Sequence, residues 1–245
     1  MWTVIQIILI FILLLIAISF IWFDFIFLIK NSEKFKKIFN KALRNNDIVI
    51  IFNSGGWGTI DYSEAFDLYP ICKKISEHLS KKKFKVAIVQ YYRTSDNLIG
   101  KIGYLKDYFF AFPKESKQLA GLIEKTRKKI ILIGLSNGAL LADEVKERLS
   151  EADNVFSIEL GKPFFGINSQ NKNILRLNNP EDHLSNGKRL KLFEAAFITA
   201  PFIWIKNMLC GKMIPIGAAV KIEGHEYLWS EIGKDIISFV NKRVL

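Results

Sequence analysis

An aliphatic strand pattern leads directly into a serine that is bracketed by glycines. Residues 128–138 read Lys-Lys-Ile-Ile-Leu-Ile-Gly-Leu-Ser-Asn-Gly, which ends in Gly-x-Ser-x-Gly around Ser136. The continuous aliphatic run predicts a strand buried on both faces, and the four-residue spacing of Leu141, Val145 and Leu149 predicts a helix after it. The segment therefore constrains the chain to a strand, a sharp turn that carries a serine, and a helix.

Four further apolar runs predict strands that alternate with helical patterns. The five predicted strands are 47–52, 85–91, 130–134, 154–160 and 173–177. Helical spacing of apolar residues covers 31–45, 63–82, 113–128, 186–210 and 227–240. This alternation predicts an α/β fold with a mostly parallel sheet flanked by helices.

The N-terminal stretch is apolar enough to predict one transmembrane helix before this domain. Residues 2–23 carry no charge, and Asp24 is the only charged residue before Lys30. A bilayer core needs about 20 apolar residues, and no basic region or cleavage site of a signal peptide is evident. We expect a transmembrane helix at 1–29, a basic helical linker at 30–46 and the folded domain at 47–245.

The charge distribution predicts on which side of the membrane the domain lies and which partner its surface contacts. All 35 Lys and Arg residues lie beyond residue 29 together with 23 of the 24 acidic residues, which gives this part a formal net charge of +12. The positive-inside rule then predicts a single-pass membrane protein with a cytoplasmic domain. A basic surface beside a bilayer favours anionic lipid as its partner. The dispersed charges and the lack of a recognised motif argue against nucleic acid.

The cysteines and the remaining motifs predict neither a metal site nor a cofactor. Cys72 and Cys210 are far apart and form no metal-binding spacing. The glycine-rich segment at residues 53–58 does not match a dinucleotide-binding pattern, and no phosphate-binding loop is present.

A catalytic serine needs a base, and the chain offers three histidines. His225 follows every predicted strand and precedes the last helix, where it can fold back over the sheet edge, so it is the favoured base. His183 is the alternative. His78 lies in a lysine-rich helical pattern and is interpreted as a surface residue.

The acid that would orient this base is expected at the carboxyl end of a strand, where catalytic groups gather in parallel sheets. Asp182 follows the last predicted strand and is the favoured candidate. Its neighbour Glu181 and Glu159, near the end of the fourth strand, are the alternatives.

Backbone N–H groups are expected to stabilise the oxyanion that forms in acyl transfer. Asn137, directly after the serine, would supply one of them. The loop after the first strand, Asn53-Ser54-Gly55-Gly56-Trp57-Gly58, would supply the other from Gly55 or Gly56.

Together, the Gly-Leu-Ser-Asn-Gly turn, the Asn-Ser-Gly-Gly-Trp-Gly loop and the order Ser136, Asp182, His225 resemble the α/β-hydrolase superfamily. The resemblance covers residues 47–241. It implies an eight-stranded, mostly parallel sheet and a Ser-His-Asp triad. Asn53 stands where many members have histidine.

These features lead to the expectation of a membrane-anchored serine hydrolase that cleaves carboxylic esters, with esterase or lipase character. The apolar segment 195–209 suits acyl chains or contact with the bilayer, which would make lipid or acyl esters the substrates. Core packing is the alternative interpretation of that segment. Acyl transfer or thioester hydrolysis by the same triad, and a non-catalytic scaffold at the membrane, are the other functions compatible with the sequence.

Overall fold

The computed structural model describes residues 2–22, 28–56, 58–94, 113–166, 169–212, 214 and 219–245. Asp24 and Trp57 lie outside the described residues. The helices are α1 (Trp2–Trp22), α2 (Leu28–Asn45), α3 (Leu68–Lys81), α4 (Pro113–Ile123), α5 (Asn137–Arg148), α6 (Arg189–Phe193), α7 (Ala200–Leu209) and α8 (Trp229–Phe239). The strands are β1 (Ile48–Asn53), β2 (Val86–Gln90), β3 (Lys129–Leu135), β4 (Val155–Leu160) and β5 (Ile174–Leu177). A 3-10 turn covers Tyr62–Glu64, and π-helical turns cover Glu194–Thr199 and Val240–Val244.

The strands form one parallel sheet in the order β2-β1-β3-β4-β5. In register, Ile48 of β1 lies opposite Val86 of β2 and Lys129 of β3. All five predicted strands are present, so the predicted parallel sheet with flanking helices is confirmed. The eight strands that the superfamily resemblance implies do not occur in the described part of the chain, which has these five.

Two hydrophobic layers cover the two faces of the sheet because alternate residues of each strand point to opposite sides. On one face, Val49 and Ile51 of β1 pack with residues of α2, α4 and α5. On the other face, Ile48 and Ile50 pack with residues of α3 and α8. All the residues of β1 are buried, as expected for a central strand covered on both sides.

Helix α2 belongs to the first of these layers. Its Phe35 and Phe39 are buried, and the Phe35 ring meets Tyr91 edge-on with ring centroids 5.1 Å apart. The segment predicted as a basic linker therefore contributes side chains to the core. The division of the chain at residue 46 stays a prediction.

The sheet order creates a crevice above β1 and β3. From β1 the chain crosses to β2 on one side, whereas β3 leads to β4 on the other side. The loops that follow β1 and β3 therefore diverge at their carboxyl ends, where parallel α/β sheets hold their ligands. Asn53 and Gly134 are register partners at this end, so the glycine-rich loop and the serine turn start side by side.

Within the described residues, one helical segment is long and apolar enough to cross a bilayer. It is Arg189–Leu209, which joins α6, the π-helical turn and α7. In α1 the side chains are described from Val4 to Ile18, and this stretch by itself is shorter than the roughly 20 residues that a span needs. The N-terminal transmembrane helix therefore stays a prediction.

Candidate active site

Ser136 occupies a strained turn between β3 and α5. Its backbone angles are φ 55° and ψ −124°, outside the regions that an L-residue with a side chain normally adopts. Its amide donates a hydrogen bond to the Leu160 carbonyl at the end of β4, with an N···O distance of 2.9 Å. The turn raises the serine above the carboxyl edge of the sheet, as the Gly-x-Ser-x-Gly pattern predicts.

The two glycines of this turn are required by close backbone approaches. A Cβ atom on Gly134 would collide with the main chain of Gly138, and a Cβ atom on Gly138 would collide with the Asn53 carbonyl oxygen. Both sites therefore exclude a side chain, and α5 can start directly against β3 and β1. This packing fixes the position of Ser136.

Asp182 and His225 contact each other at the same edge of the sheet. His225 Nδ1 lies 2.8 Å from Asp182 Oδ2. The Asp182 side chain is fully buried, and the His225 side chain is 15% exposed. A buried carboxylate that contacts one ring nitrogen fixes the tautomer and the orientation of an imidazole.

Further donors complete the hydrogen bonding of the Asp182 carboxylate. The Tyr227 hydroxyl donates to Oδ2 at 2.7 Å, and the Leu184 and Ser185 amides donate to Oδ1 at 2.8 and 3.3 Å. Burial by itself would raise the pKa of Asp182. The bonds from His225, Tyr227 and the Leu184 amide outweigh that effect and hold its pKa below the ordinary value. The site therefore favours the ionised carboxylate.

The loops that carry Asp182 and His225 are held together by bonds of their own. The His183 amide donates to the Glu223 carbonyl at 3.1 Å. The Asn179 side-chain amide donates to the Gly224 carbonyl at 3.0 Å, and the Asn179 main-chain amide donates to the Tyr227 hydroxyl at 3.1 Å. The acid–imidazole contact thus belongs to a clamp between residues 179–183 and 223–227.

Gly161 connects the serine turn to the histidine. It follows Leu160, whose carbonyl accepts the hydrogen bond from Ser136, and it has a positive φ of 54°. A Cβ atom on Gly161 would lie 2.8 Å from His225 Cε1, so the imidazole rests against this glycine. Ser136 and the His225 ring therefore adjoin consecutive residues at the end of β4.

The glycine-rich loop after β1 lies against Ser136. A Cβ atom on Gly55 would be 3.6 Å from the Ser136 Cβ. The buried Arg93 guanidinium donates to the Ser54 and Gly56 carbonyls at 2.9 and 2.7 Å. Arg93, which follows β2, therefore fixes the loop that was predicted to supply an oxyanion donor. Asn137, the other predicted donor, is buried as the first residue of α5.

The remaining histidine and acid candidates have other partners. His78 Nε2 lies 2.8 Å from Asn241 Oδ1 on the surface, and His183 Nε2 lies 3.6 Å from a Glu223 oxygen. Glu181 is exposed. Of the three predicted acids, Asp182 is the one that the structure brings to His225.

Glu159 belongs to a buried ionic network behind β4 and β5. Its carboxylate accepts from Ser157 at 3.0 Å and from Arg176 at 2.9 Å. Arg176 also binds Asp143 at 3.2 Å, and Lys162 binds the other oxygen of Asp143. Burial and the neighbouring Asp143 raise the pKa of Glu159 to about 7 despite both cations. This network joins α5 to β4 and β5.

A polar cavity of about 350 Å³ opens beside the Asp182 loop. Charged, amide and hydroxyl side chains supply most of its lining, together with one aromatic ring. The lining residues are Lys162, Pro163, Phe164, Asn178, Ser185, Asn186, Gly187 and Arg189. The Arg189 guanidinium stacks over the Phe164 ring at 5.4 Å. Among the described residues, no group of three or more His, Cys, Asp or Glu side chains is placed to hold a metal ion.

Two residues that support this arrangement, Tyr227 and Arg93, are not among the predicted site residues. The sequence pattern places Tyr227 at the start of the last predicted helix and Arg93 just after the second predicted strand. The pattern His-x-Tyr at residues 225–227 was the available signal for Tyr227, because a tyrosine beside a candidate base can reach the same carboxylate. Arg93 had no comparable signal, since its partners lie 37 and 39 residues away in sequence.

Comparison with known proteins finds a solved structure with a similar fold. No family model matches the chain, and no curated protein matches it. A solved structure of Trichoderma reesei cutinase in complex with a C11Y4 phosphonate inhibitor is similar, with a TM-score of 0.51 and 11% sequence identity. The match covers 91% of this chain and 90% of the cutinase chain. The chain therefore has a cutinase-like α/β fold with a parallel five-stranded sheet flanked by helices.

Proposed function

We propose that the protein is a membrane-anchored serine hydrolase that cleaves carboxylic esters without a cofactor. One observation carries the proposal: the Asp182–His225 pair rests on Gly161, and the preceding residue of β4 binds the strained turn of Ser136. Serine, imidazole and buried carboxylate at one sheet edge are the parts that acyl transfer by a serine nucleophile needs.

In this proposal each residue of the triad has one role. His225 Nδ1 faces Asp182, so Nε2 is the nitrogen that takes the proton as Ser136 Oγ attacks the ester carbonyl carbon. His225 returns this proton to the leaving alcohol, and the acyl group stays on the serine. Water then attacks the acyl-enzyme by the same two proton transfers, which releases the acid and restores Ser136.

Asp182 supports these transfers without changing its own protonation. Its lowered pKa keeps the carboxylate ionised at neutral pH, so it stabilises the imidazolium that forms in each half-reaction. The tyrosine and amide donors on the same carboxylate keep it aimed at Nδ1. A wrong tautomer of the imidazole would leave Nε2 protonated and unable to accept from the serine.

The oxyanion of the tetrahedral intermediate is assigned to backbone donors beside Ser136. Asn137 begins α5, so its N–H belongs to a helix N-terminus that favours negative charge. Gly55 and Gly56 lie on the loop beside the serine that Arg93 holds. Preorganised donors of this kind lower the barrier because they need no rearrangement when charge develops.

The anchor in this proposal is the N-terminal helix. Between Val4 and Ile18, the large side chains of α1 other than Gln6 are apolar and exposed, and a cluster of lysines follows at residues 30–41. This charge asymmetry favours a cytoplasmic domain. Lipid or other acyl esters are the proposed substrate class, because a membrane anchor holds the site close to such molecules.

A fluorophosphonate probe tests the nucleophile directly. We expect the detergent-solubilised wild type to be labelled, as an activated serine reacts with phosphorus electrophiles, and we expect Ser136→Ala to stay unlabelled. Ser80→Ala, at an exposed serine in α3, is the matched control and should label like the wild type. In an ester assay, Ser136→Ala should lower kcat on the order of 10⁶-fold.

The labelling pattern also decides between catalysis and a scaffold. A folded wild type that stays unlabelled, or a Ser136→Ala variant that keeps its ester hydrolysis, would overturn the proposed mechanism. Circular dichroism of the variants establishes that they are folded.

A further inference from the structure

The segment Arg189–Leu209 is an apolar helix whose outer face has no cover within the described chain. Its large apolar side chains are strongly exposed, reaching 87% for Leu190, 68% for Phe197, 71% for Phe202 and 79% for Leu209. The less exposed positions Leu192, Ile203 and Trp204 lie on another side of the same segment. Apolar residues therefore occupy both the inner and the outer faces.

This arrangement is unlike that of a helix on a water-exposed surface. Such a helix normally turns an apolar stripe inward and a polar face outward. Here the exposed phenyl rings of Phe193 and Phe197 stack on each other with centroids 4.7 Å apart, and Phe202 follows about one turn later. A contiguous exposed patch of this kind marks contact with a membrane or with another protein.

The charges at the two ends of the segment favour a membrane. Lys188, Arg189 and Lys191 lie at its start, and Lys206 and Lys212 lie at or beyond its end. Between residues 188 and 212 the only acidic residue is Glu194, which pairs with Lys191 at 3.0 Å. Long basic side chains at the ends of an apolar helix reach the headgroup level and attract anionic lipid.

The contact between Asp182 and His225 restricts how this helix can meet a bilayer. Asp182 precedes the segment and His225 follows it, yet their side chains lie 2.8 Å apart. A single crossing would put them on opposite sides of a hydrocarbon core about 30 Å thick. A return crossing by residues 210–222 would carry Lys212 and Lys221 through the hydrocarbon, at a high cost for each charge.

The chain directly after the helix also stays beside it. The Trp204 indole N–H donates to the Ile214 carbonyl at 3.0 Å, so the chain folds back along α7 after Leu209. Both ends of the segment thus remain on the side of the membrane where the domain lies. An apolar helix that meets a bilayer without crossing it lies in the plane of the interface.

We propose that Arg189–Leu209 lies flat in the surface of an anionic bilayer, with Phe197 and Phe202 directed into the acyl region. The protein then meets its membrane at two places, through α1 and through this in-plane helix. An interfacial helix buries its apolar face about 5–10 Å below the headgroup boundary. The partner is the lipid bilayer itself, and the basic ends select anionic headgroups.

This placement deepens the proposed function and, for its substrate consequence, rests on it. The loop of Asp182 runs into the helix within seven residues, and Arg189 belongs both to the helix and to the polar cavity beside that loop. A helix held in the headgroup layer would therefore hold the cavity against the membrane surface. Esters that reside in the bilayer are the substrates that this geometry favours.

The experiment uses the full-length chain in lipid nanodiscs with a spin label at Phe202→Cys in a Cys210→Ser background. Cys72 is buried, and burial raises the pKa of its thiol, so it does not compete for the label. We expect the residue 202 label to collide more with oxygen than with a water-soluble nickel chelate, at a depth of about 5–10 Å below the phosphates. Ser80→Cys in the same background is the matched control, because Ser80 is exposed near the end of α3, at the sheet edge opposite the candidate site, and its label should prefer the nickel chelate.

The side of the membrane at each helix end is tested with a membrane-impermeant maleimide on proteoliposomes. Lys188→Cys in the Cys210→Ser background and the native Cys210 should react from the same side. Reaction from opposite sides would overturn the in-plane placement, since it requires a crossing.

Two further outcomes would also overturn the proposal. One is a residue 202 label that stays water-accessible in nanodiscs containing phosphatidylserine. The other is a residue 202 label that is equally shielded from the nickel chelate in detergent and in lipid, in a protein whose mass in detergent solution is that of a dimer. That result would assign the apolar face to a second copy of the chain. We expect deeper immersion with phosphatidylserine than with phosphatidylcholine alone.

The test of the membrane contact does not depend on whether the protein is a hydrolase. Ser136→Ala with the label at residue 202 should show the same immersion as the parent protein, because Ser136 lies outside the helix. Loss of fluorophosphonate labelling with normal immersion would refute the hydrolase mechanism only, and normal labelling with a water-exposed residue 202 would refute the membrane contact only.

Discussion

Several contacts of the candidate site converge on the side chain of Asp182. One carboxylate accepts hydrogen bonds from a hydroxyl and two amides and contacts the imidazole of His225. Local chemistry at this residue therefore sets both the orientation of the base and the acid sensitivity of the fold.

Replacing Asp182 should damage catalysis far more than removing one of its supporting donors. Asp182→Asn keeps the shape but allows the wrong imidazole tautomer, so kcat should fall on the order of 10⁴-fold. Tyr227→Phe removes one hydrogen bond to a charged group, worth about 1.5–3 kcal/mol, and should lower kcat by on the order of 10- to 100-fold. Steady-state ester hydrolysis with both variants checks the ranking, and equal losses would contradict the assigned roles.

The lowered pKa of Asp182 predicts an acid-dependent loss of stability. A carboxyl whose folded-state pKa lies below its unfolded value stabilises the protein above the unfolded value, and this contribution disappears as the pH falls through the folded pKa. The stability advantage of wild type over Asp182→Asn should therefore be full at pH 7 and shrink as the pH falls below about 4. Thermal unfolding across this range measures it, and a constant difference would contradict the prediction.

A site residue can be predicted from the sequence when the residues that fix its position lie close to it in the chain. Ser136 was predictable because its glycines and flanking elements lie within the same short motif. The choice among Asp182, Glu181 and Glu159 stayed open in the sequence because strand register and loop shape decide it. The structure pairs Glu159 with Arg176 across β4 and β5, whereas Asp182 reaches His225 across 43 residues.

At the scale of elements, the unit β3–Ser136–α5 is held by close packing of main chains. Gly138→Ala should destabilise the fold by about 1–3 kcal/mol or more, because the added methyl group meets the Asn53 carbonyl and the backbone has to shift. Gly121→Ala in α4 is the matched control, since nothing lies within 4 Å of the added Cβ there. It should be neutral or stabilising by roughly 0.5–1 kcal/mol. Urea denaturation of both variants tests the contrast.

The elements themselves followed from apolar periodicity, but several of their boundaries did not, and two helix starts show why. The pattern at 63–82 predicted one helix, whereas α3 begins at Leu68 after a separate turn at Tyr62–Glu64. That turn is fixed by the Gln90 side chain, which accepts from the Tyr62 amide at 2.8 Å and donates to the Ile60 carbonyl. Similarly, the last helix begins at Trp229 instead of 227, because Tyr227 is used to bind Asp182. Contacts between distant segments set both of these helix starts, and the apolar periodicity of the sequence carries no information about such contacts.

At the scale of the whole molecule, the buried ionic network ties one helix to two strands, and its charges balance when Glu159 is ionised. Lys162→Met would leave Asp143 and Glu159 with Arg176 as the single cation between them. An uncompensated buried charge costs about 3–5 kcal/mol, so the free energy of unfolding of this variant should fall by that order. Lys172→Met is the matched control, because Lys172 and Asp153 are both exposed at 3.7 Å, and it should change stability by less than about 1 kcal/mol.

The double variant Lys162→Met/Asp143→Asn restores the charge balance of the network. It should recover part of the stability that the single Lys162 variant loses, and a double-mutant cycle measures the coupling. Urea denaturation at a pH above the raised pKa of Glu159, where this carboxyl is ionised, provides all four free energies of unfolding. Strictly additive losses would contradict the existence of a coupled network.

The clamp between residues 179–183 and 223–227 has a consequence for how this protein can change over evolutionary time. Its bonds hold the two ends of the intervening segment together through residues that lie outside that segment. Closing a longer or shorter loop between fixed ends alters the entropy only slowly with length. The segment from Arg189 to about residue 221 can therefore be replaced, lengthened or shortened during evolution. The contact between Asp182 and His225 is preserved in each case because the clamp lies outside the segment.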